Sequence, residues 1–191
     1  MGEAKRRKEE HSRWLTSLDA ESLAIATSAL LAHKRIVDER GMTGGCYQLA
    51  FFLTRYLAER HGITARPVVG WVNDGTTPLM ISHAWIESAG GITDISLTLT
   101  EHPEHQLPGA LLVLGRAVYR GHADYTYHLE RSQQALDALR EVEAEVPTVV
   151  QMKEAHHSQM TAISRDSALI REYLDNAPPG SRYVDLVRCL A

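Results

Sequence analysis

The chain has 191 residues, 44% hydrophobic and 23% charged, which bounds it to one domain, or one domain with a helical appendage. Its formal charge of −4, with no large basic patch, argues against a nucleic-acid partner. No run of about 18 apolar residues and no apolar stretch behind the basic N-terminus occur, so neither a membrane span nor a signal peptide is expected, and two cysteines read as reduced thiols in the cytoplasm.

Residues 1–12 are charged and read as a tail or a frayed helix. One or two helices follow up to residue 40, with Ser17 or Asp19 as a cap and Gly41 as the stop. Thr43 is the expected N-cap of the next helix. There Cys46, Leu49, Ala50, Leu53 and Leu57 form one continuous face, Phe51 and Phe52 widen it, and Gly62 ends it. The period then changes from helical to extended. Residues 66–73 read as a central strand, 79–88 as a second with Leu79, Ile81, His83 and Trp85 on one face, and 92–98 as a third, together an antiparallel meander. Residues 110–121 lean to a strand with a bulge at Gly115. Residues 125–146 read as a helix broken by Pro147, 151–176 as a second long helix, and 181–191 as a short one. This divides the chain into the tail 1–12, an α+β core 13–124 and a helical extension 125–191. The long C-terminal helices are expected to pack on the core, to cover the active-site groove as a lid, or to form a homodimer interface.

The segment "GGC" at 44–46 is the chemical starting point. A thiolate nucleophile needs stabilisation of its charge, a base, and a group that orients the base. Cys46 falls in the first turn of its helix, where unpaired N–H groups and the helix dipole favour negative charge and can meet an oxyanion. Gly44 and Gly45 keep side chains out of a substrate's approach. His83 is the candidate base and Asp94 the candidate orienter, which makes hairpin register decisive. A loop of Ser88–Ala89 sets His83 opposite Asp94, and a loop of Ala89–Gly90 sets them diagonal on one face, still within reach. A loop of Gly90–Gly91 separates Asp94 from the partner of His83 by roughly 13 Å and removes the contact.

With Cys46, the run Gly62-Ile63-Thr64-Ala65-Arg66, His83-Ala84-Trp85 with Glu87, and Asp94, residues 43–98 resemble the transglutaminase-like core of the papain-like cysteine superfamily. "GGC" is also similar to the arylamine N-acetyltransferases of that superfamily. The resemblance implies an α+β fold with the cysteine helix packed on a small antiparallel sheet and helical flanks. It also implies a Cys46–His83–Asp94 triad that works through a thioester. Gly44, Gly45 and Trp85 are the candidate substrate contacts. One departure is the segment before Cys46, which has no Gln or Trp where many relatives place an oxyanion donor. Arg40 stands upstream instead, Trp14 is far away in sequence, and the second donor is unassigned.

The expected function is a cysteine peptidase, amidase or acyltransferase acting on a peptide or a small amide or acyl substrate, without a cofactor. The alternative is a non-catalytic binding or scaffold protein on the same fold. The ten histidines include the pairs His102–His105 and His156–His157, but no zinc-type motif is present and no metal is expected. His156 and His157 read as solvated.

Overall fold

The longest apolar helix decides where everything else goes. In the computed structural model, which describes residues 2–191, α3 (Cys46–His61) has Phe51, Phe52 and Leu57 fully buried and Leu49 and Leu53 nearly so. Gly62, in the left-handed conformation, ends the helix as expected. Its start differs: Gly45, not Thr43, is the N-cap, and no side chain caps the helix among the described residues.

Two helices precede it. α1 (Glu3–Ser17) takes in most of the expected tail, with Lys5–Glu9 and Arg6–Glu10 pairs spaced one turn apart along it. α2 (Ala20–Ala32) is capped by Asp19, which accepts from the Ser22 N–H, and continues as a π-helical segment His33–Asp38.

After α3 the chain forms the antiparallel meander β1 (Arg66–Asn73), β2 (Ile81–Ser88) and β3 (Gly91–Thr93). β3 is shorter than the strand expected over 92–98. Past Thr93 the backbone leaves β2, and Asp94 instead exchanges hydrogen bonds with Leu112 of β4 (Leu111–Val113). β4 pairs with β5 (Arg116–Tyr119) as a separate hairpin that turns at Leu114–Gly115, where a single bulged strand was expected. β6 (Thr126–His128) then returns to pair with β1, giving the sheet order β3-β2-β1-β6. The expectation of helix from residue 125 fails here. Tyr125-Thr126-Tyr127 is a β-branched and aromatic run, and the open edge of β1 offers it backbone partners.

Four helices complete the chain: α4 (Gln133–Glu145), α5 (Pro147–Ser164), α6 (Ser167–Asp175) and α7 (Tyr183–Cys189). The single helix expected over 151–176 is broken at Asp166, whose side chain caps α6. α6 and α7 pack on α3, and α5 packs on β1. The sheet therefore has two dressed faces. Val69, Ala84 and Ile86 join the core with α3, while the alternate residues His83 and Trp85 point the other way. The result is a mixed α+β fold with a small antiparallel sheet, and the start of α3 lies close to the start of β2.

Candidate active site

Cys46 is the first residue of α3 and is partly exposed. Because no side chain caps the helix, the N–H groups of its first turn stay available at the thiol. Gly44 makes the turn into the helix with φ of 64°, a conformation that L side chains rarely adopt. A Cβ on Gly44 would meet the Glu101 carboxylate at 3.1 Å.

The hairpin register is the diagonal one. Ser88 pairs with Gly91 around an Ala89–Gly90 loop. His83 and Asp94 accordingly meet: Nε2 of His83 lies 2.7 Å from Oδ2 of Asp94, and both residues are almost fully buried. The Asp94 carboxylate has further donors that sequence reasoning did not find. Tyr127 donates its O–H to Oδ2 at 2.8 Å. Ser96 donates its backbone N–H to Oδ1 at 2.9 Å and its hydroxyl at 2.8 Å. Burial alone would raise the Asp94 pKa, but the His83 ring and the Ser96 donors outweigh it and hold it below the usual carboxylate range. For His83, burial alone would lower the pKa. Asp94 and the neighbouring Cys46 thiol win, and the ring is pushed up to about 10. With Nε2 taken by Asp94, Nδ1 is the ring nitrogen left for the thiol.

Cys46 and His83 line one cavity of about 500 Å³, part of whose wall is made by α4 and α5. Gly44 and Gly45 line it too. Trp85 does not. It is buried behind His83, its ring edge-on to Tyr127 at 5.1 Å and its Nε1 donating to Glu87. A Cβ on Gly70 would come within 2.6 Å of that ring, so a bare backbone is needed for Trp85 to pack. Trp85 is therefore a packing residue, and its position on the His83 face reflects strand alternation. Arg40 is also excluded as an oxyanion donor, since it donates to the Gly180 carbonyl at 2.8 Å and to Cys189 Sγ at 3.1 Å.

A second polar chain borders the cavity. The Tyr47 hydroxyl and Ser82 Oγ are 2.6 Å apart, and Ser82 in turn meets Nδ1 of His157. Burial first, and then Cys46, push the Tyr47 pKa up to about 12. The His157 ring stacks on Trp71 at 4.0 Å, and the Arg131 guanidinium, paired with Glu154, lies 3.5 Å over the same indole. His157 is thus half-buried, not solvated, and burial lowers its pKa. The sequence carried one usable sign of Tyr127, the strand-like run at 125–127. It carried none of His157, whose partners come from β1 and β2.

No known family model, curated protein or solved structure matches the chain.

Proposed function

We propose that this chain is a cysteine-dependent hydrolase or acyltransferase of the transglutaminase-like, papain-like type, acting on an amide or acyl bond through a thioester on Cys46. The observation that carries the reading is the cavity that joins an uncapped helix N-terminus bearing a thiol to a buried, carboxylate-anchored imidazole. In the first half-reaction the Cys46 proton already resides on Nδ1 of His83, which is charged at neutral pH, and the sulfur attacks the carbonyl carbon. Charge on the carbonyl oxygen meets the first-turn N–H groups of α3. The carbon–nitrogen bond then breaks, and the imidazolium protonates the leaving amine. In the second half, water or an acceptor amine attacks the thioester, His83 takes its proton, and the thiol is restored. Asp94 keeps the ring in the required tautomer and balances its positive charge.

The test is iodoacetamide labelling across pH 6–9, with each cysteine followed by mass spectrometry. Cys189 serves as the internal control. Cys46 is expected to label at least tenfold faster than Cys189 at pH 6–7, and His83→Ala is expected to remove that advantage. Equal, slow labelling of both thiols in the wild type would sink the proposal.

A further inference from the structure

The cavity beside Cys46 is larger than a scissile bond requires. It extends from the Gly44–Cys46 turn past Leu79 and Leu97 to Leu139 and Val142 of α4 and Val150 of α5. Most of its buried and half-buried polar side chains, Gln106 excepted, are already engaged within the protein. Tyr47 is held by Ser82, and Ser82 by His157. Arg131 is held by Glu154, Ser96 by Asp94, and Thr100 by the Gln106 carbonyl. The walls therefore offer an occupant aliphatic surface drawn from four separate segments of the chain. Glu101 and Lys153, which also border the cavity, are solvent-exposed. A peptide strand lying along the aliphatic walls would have to give up water from its amides against side chains that offer no hydrogen bonds.

We infer that the cavity receives the aliphatic acyl chain of the substrate, with the carbonyl carbon at Cys46 Sγ and the chain against α4 and α5. This inference rests on the reading of Cys46 as nucleophile and adds the substrate class, a medium-length, uncharged acyl group. It also gives α4 and α5 a role in specificity, because they supply Leu139, Val142 and Val150 of its aliphatic wall.

The experiment uses the full chain with p-nitrophenyl acetate, butyrate and hexanoate. The Cys46 sulfur, its proton held on His83, attacks the ester carbonyl, the carbon–oxygen bond breaks and p-nitrophenolate leaves. Acylation of each cysteine is measured by mass spectrometry. The expected result at Cys46 is a rate constant rising about threefold to fourfold per added methylene, from the transfer free energy of a buried CH₂. At Cys189 the rate should not rise. Leu139→Gln should lower the hexanoate-to-acetate ratio at Cys46 at least fivefold. A second measurement, calorimetric binding of hexanamide and acetamide to Cys46→Ala, does not depend on turnover. Hexanamide should bind at least tenfold more tightly. Acylation of Cys46 with no dependence on chain length would overturn the inference and leave the thioester reading standing. Preferential hexanamide binding without acylation of Cys46 at any chain length would support the acyl pocket and overturn the thioester reading.

Discussion

Tyr127→Phe isolates one hydrogen bond to the buried carboxylate. The Tyr127 ring packs edge-on to Trp85, and phenylalanine keeps that contact while losing only the hydroxyl. Asp94 is 2% exposed, so water has no route to replace the donor. Burial and Asp94 together raise the Tyr127 pKa well above its ordinary value, so the hydroxyl is a neutral donor at any working pH. A hydrogen bond to a charged group contributes about 1.5–3 kcal/mol. For a chain of this size that corresponds to a Tm fall of roughly 3–12 °C. The sign in pH follows from Asp94. Its folded pKa is depressed, so its contribution is present above the unfolded carboxylate value and is lost as pH falls through the folded one. Removing a donor raises the folded pKa, so the acid limb of unfolding should move to higher pH. The deficit itself should be full at pH 7 and shrink in acid. Urea melts of wild type and Tyr127→Phe between pH 2.5 and 8 measure both effects. A loss under about 0.5 kcal/mol with an unmoved acid limb would refute the argument that Tyr127 anchors Asp94.

The alkaline limb carries a second prediction. The folded His83 pKa, about 10, lies above its unfolded value, so its stabilisation is full below about pH 6.5 and is lost as pH rises through 10. His83→Gln should flatten that decline in a pH series of thermal melts, and an identical decline in the variant would count against it. At the turn into α3, Gly44→Ala should cost about 1–2 kcal/mol, because residue 44 has φ of 64°. Gly45→Ala, with φ of −93° and only the movable Met42 side chain in its way, should cost less in parallel urea titrations. Equal costs would contradict this. Disrupting the second polar chain by His157→Ala should raise the Tyr47 hydroxyl's pKa only a little, since burial outweighs the lowering contact with Ser82, as a UV titration of tyrosine would read. A large upward shift would mean that the contact through Ser82 weighs as heavily as burial.

The sequence by itself determined much of this protein. Helical periodicity and the Gly62 stop located α3, and the change to extended, β-branched runs located the three-strand meander, because local period and turn chemistry are carried by neighbouring residues. The same reading brought Cys46, His83 and Asp94 forward, and it reduced the His83–Asp94 contact to the position of one two-residue loop. It could not choose that loop. Ala89–Gly90 and Gly90–Gly91 are both acceptable turns, and the choice follows from what β3 packs against, with a Cβ on Gly90 coming 2.7 Å from Leu114. Nor could the sequence separate His83 from Trp85, which share a strand face; the covering of that face by Tyr127 makes one part of the site and the other part of the packing. Tyr127, which holds Asp94, His157, which meets Ser82, and the α4–α5 wall of the cavity all come from beyond residue 124. Their local sequence does not say which surface they pack against, and only the open edge of β1 and the indole of Trp71 fix where Tyr127 and His157 lie.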